Sequence, residues 1–189
     1  MLFRSEMVEF KKDNEIVNIM NEKYLTYKNN SSKEKYNELN EEVAIQIAED
    51  FLKEKGYSED DMKLTSKHRE KNDYYLEYTK IYNGIYLEKT YTKFLIGKSG
   101  VKEFERLWLN PKELGENDIY ISTASKAILA LLDMEGKYGR TIEDISLCYY
   151  FDPLVHKDVG DFKDTREGKA IPAWRVQFDD DSVVFLDEY

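Results

Sequence analysis

The sequence is poor in the residues that build disulfides and common metal or nucleophile sites. It contains one cysteine, Cys148, and two histidines, His68 and His156. A single thiol cannot form an intramolecular disulfide or a Cys-x-x-Cys metal site, and neither histidine stands in a known zinc or nucleophile spacing. Because Cys148 lies among large apolar neighbours in ISLCYYF, we predict a small buried side chain. Nothing in these residue types points to catalysis, a cofactor or a metal.

Long apolar runs and an excess of positive charge are also missing. No run of about 18 apolar residues occurs, so we expect no segment of this chain to span a bilayer, and the first residues lack the apolar core of a signal peptide. The net charge is −10, which argues against nucleic acid and against attraction to anionic lipid. Two alternatives stay open: a cytosolic protein, or a soluble domain whose membrane anchor is not part of this sequence.

What the sequence does contain is a sharp pattern in its middle. Residues 40–56 predict an amphipathic helix, with Asn40 as N-cap and Gly56 as the C-terminal stop. Three strands are predicted to follow, near residues 73–82, 85–96 and 101–109. Asn83-Gly84 is a strong hairpin signal between the first two strands, and residues 97–100 make the second turn. Residues 1–39 are less readable; their apolar positions hint at one or two short elements, with a helical tendency.

The pattern then starts again after a polar segment at residues 110–118. A second helix is predicted near residues 122–135, with Ser122 as N-cap, followed by a strand at 142–151 and a hairpin that carries Trp174. Five apolar positions of the first helix, from Ala44 to Leu52, remain apolar when each number rises by 80. We therefore predict an internal duplication.

The predicted fold class is α+β, with two tandem PepSY/cystatin-like modules. Each module is a helix packed on an antiparallel sheet of about three strands. The domain boundaries are 1–39 for an undefined N-terminal segment, 40–115 for the first module and 116–189 for the second. Trp174, Phe51, Leu131 and Trp108 are predicted core residues.

Tyrosines on the predicted strands are the best candidates for a binding surface. Tyrosine combines apolar area with a polar tip, which suits a half-exposed sheet that meets a partner protein. Tyrosine also simply fits strands, which is the alternative explanation. The candidate protein-interaction residues are Tyr74, Tyr78, Tyr82, Tyr86 and Tyr91.

A second, weaker candidate is the acidic loop at residues 152–168. It offers oxygen and imidazole ligands, but their spacing does not match an EF-hand. We therefore interpret it as a solvated loop, with a weak cation site as the alternative. The ligands in question are Asp152, His156, Asp158, Asp161 and Asp164.

Several motifs resemble a known family. The step Y-x-G-I-Y at Tyr82–Tyr86, L-x-Y-Y at Leu147–Tyr150 and P-x-W-R-V at Pro172–Val176 are similar to YycI, which with YycH belongs to the membrane-anchored regulators of the YycFG (WalRK) two-component system of Gram-positive bacteria. Helix-plus-strand modules with a Pro-x-Trp strand also resemble PepSY-type domains. The resemblance covers roughly residues 40–189.

The resemblance implies a non-catalytic regulatory domain. It implies an extracytoplasmic location at the cell membrane, a single N-terminal transmembrane anchor that this chain lacks, and binding to a sensor histidine kinase together with a YycH-like protein, with an influence on cell-wall metabolism. The gene upstream of Met1 is then expected to encode an apolar segment. Two alternatives remain: a PepSY/cystatin-like protease inhibitor or peptide-binding module, and an enzyme that uses acidic residues in a deep pocket.

Overall fold

A computed structural model describes residues 7–111, 120–136, 139–150 and 170–186 of the chain. This part of the chain folds into one ten-stranded sheet and two helices. The strands are β1 (Met7–Lys12), β2 (Glu15–Met20), β3 (Tyr24–Asn29), β4 (Met62–Glu70), β5 (Asp73–Tyr82), β6 (Ile85–Gly97), β7 (Gly100–Leu107), β8 (Ile142–Tyr150), β9 (Ile171–Phe178) and β10 (Val183–Leu186), and the helices are α1 (Glu41–Glu54) and α2 (Ala124–Leu129). None of the helices in these ranges has the length and apolar character needed to cross a membrane.

The long strand β6 connects the two halves of the sheet. Along most of its length β6 lies between β5 and β7, both antiparallel to it. Near its start, Tyr86 and Leu87 pair instead with Cys148 and Tyr149 of β8, in parallel orientation. Strand β8 thus takes up the edge of β6 at the point where β7 no longer covers it. The main path of the sheet is β1-β2-β3-β7-β6-β8-β9-β10, with β4 attached through β5.

Helix α1 forms as the sequence predicts. Asn40 is the N-cap, and its side-chain oxygen accepts a 2.9 Å hydrogen bond from the backbone N–H of Val43. Glu41 and Glu42 occupy the first turn, where carboxylates meet the positive end of the helix dipole. After the helix Gly56 adopts φ +76°, a left-handed conformation that glycine reaches without steric cost. The local signals therefore set both ends of this helix.

The main core lies between α1 and one face of the sheet, here called the near face. Cross-strand neighbours form a continuous apolar row on it: Phe10, Val17, Tyr27, Phe104, Phe94 and Leu76. Phe51 of α1 lies on the centre of this row, with its ring centroid 5.3 Å from Tyr27 and 5.2 Å from Phe104. The prediction that Phe51 serves the core is confirmed, since it packs against the buried cluster.

Helix α2 covers β8, β9 and β10 but is shorter than predicted. After Leu129 the chain tightens into a 3₁₀ turn (Ala130–Asp133). The change from 3.6 to 3.0 residues per turn rotates later side chains out of register. Leu132, predicted to match the fully buried Leu52, is therefore 64% exposed. The predicted N-cap Ser122 is also wrong, because Thr123 holds that position and makes no side-chain capping bond.

The sheet curls, so that strands distant in the ladder come into contact. The α2 core contains Trp174, Val176 and Phe178, whereas Arg175 and Gln177 point to the other face of β9. Gln177 Nε2 donates a 3.4 Å hydrogen bond to the carbonyl oxygen of Thr65 on β4, although β8, β6 and β5 lie between these strands in the ladder. Both helices therefore lie on the outer side of the curl, and a small core of Tyr86, Cys148 and Ala173 fills its inner side.

The structure corrects the prediction for residues 1–39 and adds one strand. The expected helical tendency is wrong, because this segment forms the antiparallel strands β1, β2 and β3, joined by turns in which Asp13, Asn21 and Glu22 have positive φ. These three strands join the rest of the sheet because β3 pairs with β7, and no local sequence pattern predicts that pairing. Strand β4, a mostly polar stretch after α1, was also not predicted.

The coarse fold class is confirmed: the protein combines helices with a large, mainly antiparallel sheet. The sheet is not divided into separate three-stranded units, because the β6–β8 pairing joins its parts. The strands predicted at 73–82, 85–96 and 101–109, the strand at 142–151 and the closing hairpin all appear, with shifts of one or two residues where their ends differ. Tandem PepSY-like modules, and the boundary between residues 115 and 116, remain predictions.

Candidate protein-binding face

The five candidate tyrosines do not form one exposed surface. Tyr74 and Tyr78 are buried at 8% and 7% exposure in the core under α1, and Tyr86 is buried at 8% inside the curl. The expectation that these three side chains are exposed is wrong. Tyr82 and Tyr91 are half-buried, and their contact with a partner protein remains a prediction.

The burial of these tyrosines follows from the way side chains alternate between the two faces of a strand. The even-numbered candidates Tyr74 and Tyr78 lie on the face of β5 that α1 covers. The odd-numbered residues, including Tyr75 and Glu77, point the other way. Both faces of β5 carry tyrosine, and the signal that distinguishes them is Leu76 on the even-numbered face against Glu77 on the odd-numbered face. We call the face of the sheet opposite α1 the far face; it lies on the inner side of the curl. Its central residues are His68, Tyr75, Glu77, Tyr91, Lys93 and Glu105.

Aromatic stacking organises one end of the far face. The imidazole of His68 on β4 lies parallel to the Tyr75 ring, at a centroid distance of 4.7 Å and an angle of 3°. A β-bulge between Leu64 and Ser66 shifts β4 relative to β5 just before this pair. A cavity of about 190 Å³ lies beside this pair, lined by Ser66, His68, Tyr75, Leu76, Glu77, Lys93 and Phe94. His68 stands in no zinc or nucleophile spacing, so the sequence did not predict its place in this pair.

Paired charges occupy the centre of the far face. Lys93 Nζ lies 3.0 Å from Glu77 and 4.5 Å from the centroid of the Tyr91 ring. The Tyr91 hydroxyl donates a 2.6 Å hydrogen bond to Glu105. Burial and the adjacent Glu105 carboxylate both raise the pKa of Tyr91, so its hydroxyl stays protonated at neutral pH. Tyrosine is enriched at protein interfaces, whereas glutamate and lysine are depleted there, so the tyrosine rings are the part of this face that suits a partner protein.

On the near face, two cations surround a tryptophan. The guanidinium carbon of Arg106 lies 3.6 Å from the Trp108 ring centroid, and Lys80 Nζ lies 4.8 Å from it. Arg106 donates to Thr92 at 2.6 Å, and Lys80 donates to the Leu109 carbonyl at 3.0 Å. Burial lowers the pKa of Arg106 to about 10 and also lowers that of Lys80. These groups are held by aromatic faces and carbonyls, so we interpret them as structural.

A buried ion pair joins β6 to β9 on the inner side of the curl. Arg175 Nε donates a 3.0 Å hydrogen bond to Glu88, and the two side chains are only 3% and 12% exposed. Arg175 also donates to Gln177 at 2.9 Å and lies 4.9 Å from the Tyr86 ring centroid. Glu88 belongs to a three-residue bulge of β6, whose next residue, Lys89, has φ +63°. The bulge brings Glu88 to Arg175.

The Glu88 carboxyl gives a prediction for pH dependence. Burial raises its pKa above the usual 4.5, against the opposing attraction of Arg175. A raised folded-state pKa means that the folded protein holds the proton more tightly than the unfolded chain. The contribution of Glu88 to the free energy of unfolding is therefore fully present below pH 4.5 and is lost as the pH rises through the folded-state pKa.

Urea denaturation of the natural protein and of Glu88→Gln, from pH 4 to pH 7, measures this contribution. We expect the natural protein to lose stability relative to Glu88→Gln as the pH rises above 4.5. A difference that stays constant over this range, or that changes with the opposite sign, contradicts the raised pKa.

The remaining predictions from the sequence concern Cys148 and the acidic loop. Cys148 is 1% exposed and burial raises its pKa, which confirms the small buried side chain. The predicted acidic loop at residues 152–168, with all five of its possible ligands, lies outside the described residues. Within the described ranges, no group of three or more His, Cys, Asp or Glu residues is arranged to hold a metal ion.

One family comparison gives a match. The sequence model of the family described as "YcdB, YcdC repeated domain" (DUF4901) matches residues 7–122, which include β1 to β7 and α1. No curated protein and no solved structure shows significant similarity to the chain. The match covers more than half of the chain and contains the entire near-face core with its helix. The chain therefore belongs to the family of the YcdB/YcdC repeated domain.

Proposed function

We propose that the chain is a non-catalytic binding domain that uses the far face to hold another protein. The observation that carries this proposal is the composition of that face. Tyr75 and Tyr91 are half-buried, and the charges of Glu77 and Lys93 are already paired. A partner can cover these aromatic rings without stripping water from an unpaired charge, which removes a large cost of binding.

The partner we propose is a sensor histidine kinase of the YycFG (WalRK) type, held together with a YycH-like protein. The motifs at Tyr82–Tyr86 and Pro172–Val176 support this proposal, because they resemble those of the YycI regulators. On this proposal the domain lies outside the cytoplasmic membrane, consists of two PepSY-like modules, and is joined to an N-terminal anchor. A domain that binds one state of the kinase more tightly than the other shifts the kinase between those states without catalysis.

Binding of the purified extracytoplasmic part of such a kinase tests both the partner and the face. We expect Tyr75→Ser combined with Tyr91→Ser to weaken binding by about tenfold or more, because buried tyrosines often dominate interface energy. Tyr120→Ser is the matched control, since Tyr120 is 83% exposed and lies outside the far face. Circular dichroism checks that the variants are folded.

The outcomes separate the two parts of the proposal. If the natural protein does not bind the kinase, the proposed partner is wrong. If it binds and the double variant binds equally well, the far face is wrong.

A peptide-binding or protease-inhibitor module is the second candidate function. It is favoured by β4, which within the described residues pairs only with β5 and lies beside the far-face cavity. Such an edge can accept an extended peptide as an added strand. Recovery of a protease rather than a sensor kinase with the natural protein, but not with a Lys67→Pro variant of β4, supports this candidate over the first.

A further inference from the structure

Strand β1 is an edge strand that exposes three large apolar side chains. Within the described part of the chain its only ladder partner is β2. Met7, Val8 and Phe10 are 60%, 50% and 57% exposed. Natural edge strands usually block pairing with proline, bulges or charged side chains, and of these features β1 carries only charges, which have opposite signs at Glu9 and Lys11. The segment MVEFKK has no proline, and it pairs with β2 without a register shift.

Phe10 lies at the end of the near-face apolar row, and helix α1 does not cover that end. On the near face it is the outermost member of the row that continues through Val17 and Tyr27. Phe51 of α1 packs against Tyr27, two strands further in, so the helix covers the middle of the row and not its end. A strand added beside β1 would place a side chain against Phe10 and continue this row.

We propose that β1 pairs antiparallel with β1 of a second copy of this chain, about a twofold axis at Phe10. The two sheets then continue into one another across the dimer, with both near faces on the same side. This self-association is separate from the proposed function, because it uses the sheet edge and not the far face.

The charge pattern of β1 selects both the occupant and the register. With Phe10 opposite Phe10, Glu9 of each copy lies opposite Lys11 of the other on the far side of the strand. The same two residues already form a 2.8 Å ion pair within one copy, so the dimer brings four charges of alternating sign together. The two neighbouring registers that keep the faces matched would place Glu9 opposite Glu9 or Lys11 opposite Lys11, and both are repulsive. A twofold interface requires this kind of self-complementary sequence.

Charge reversal tests the proposed register without touching the core. We expect the natural protein to approach twice the chain mass of 22.4 kDa at high concentration in sedimentation equilibrium. Glu9→Lys alone and Lys11→Glu alone should each weaken self-association by about tenfold, because two attractive cross-strand pairs become repulsive. An equimolar mixture of the two single variants should recover it, since lysines of one copy then meet glutamates of the other.

The matched control is Lys28→Glu, which reverses the charge of another exposed strand lysine away from the edge, and should leave association unchanged. A natural protein that stays monomeric at all concentrations overturns the proposal. A dimer whose association is not weakened by either charge reversal also overturns the proposal, because the contact would then lie elsewhere. A mixture of the two variants that does not recover association overturns it too, because the register would then be different. A monomer that instead binds a tandem copy of the domain through β1 also overturns it.

Discussion

Replacing Arg175 with methionine is expected to lower the free energy of unfolding by about 3–5 kcal/mol. The substitution leaves Glu88, whose side chain is only 12% exposed, without its counter-ion. The carboxyl must then either stay charged in a buried place or take up a proton, and both cost stability. Urea denaturation at pH 7 measures the loss.

The double variant Glu88→Leu with Arg175→Met separates the charge effect from packing. Because no charge remains buried, we expect it to be clearly more stable than Arg175→Met alone. Lys28→Met is the exposed control: Lys28 and Glu103 form a 3.0 Å pair with side chains more than half exposed, and its loss should cost less than about 1 kcal/mol. If the double variant is as unstable as the single one, the loss comes from packing and not from the unpaired carboxylate.

Phe104→Ala is expected to cost about 3–5 kcal/mol, the range found when a buried phenylalanine is truncated. Phe104 is 2% exposed, and its ring contacts three other aromatic rings: Phe51 of α1, Phe94 of β6 and Tyr57 after α1. Truncation opens a cavity at the point where the helix meets the centre of the sheet. Thermal and urea denaturation both measure the effect.

Phe10→Ala is the control of the same type, since Phe10 is 57% exposed. Its cost should stay below about 0.5 kcal/mol when measured at low micromolar concentration, where edge pairing does not contribute. A cost for Phe104→Ala near that of Phe10→Ala would mean that the packing of α1 on the aromatic row is looser than the structure shows.

Trp174 shows how partial burial changes an expectation that rested on the sequence. Full burial would have given a loss of about 3–5 kcal/mol on replacement with alanine. In the structure Trp174 is half-buried on the α2 side of β9, and its indole N–H donates a 2.8 Å hydrogen bond to the Ser122 carbonyl. Its role in the core is confirmed, but a smaller loss is now expected.

The parts of the fold that the sequence predicts are those with local causes. Asn40 caps α1 through its own side chain, and Asn83-Gly84 turns the β5–β6 hairpin because both residues adopt positive φ. These signals act within a few residues of the structure that they produce. The positions of helix α1 and of the β5–β6 turn could therefore be predicted directly from the sequence.

The parts that escaped prediction depend on partners far away in the chain. Glu88 and Arg175 are 87 residues apart, and neither residue type announces a buried pair. The tyrosines alone do not identify the face of β5 that α1 covers, because Tyr74 and Tyr75 lie on opposite faces; Leu76 against Glu77 is the signal that does. Three of the five candidate tyrosines, Tyr74, Tyr78 and Tyr86, are consequently buried, whereas Tyr75 and His68 of the far face are not among the candidates.

The pairing of β3 with β7 has a consequence for synthesis on the ribosome. Tyr27 lies opposite Phe104 in the ladder, so the first three strands leave the exit tunnel well before the strand that completes them. At synthesis rates of about 5–20 residues per second this interval is about 4–15 s, during which the apolar side chains of β1, β2 and β3 are not yet covered by the rest of the fold. We expect nascent chains arrested before β7 to be bound by chaperones, and chains arrested after β7 has emerged to be released from them.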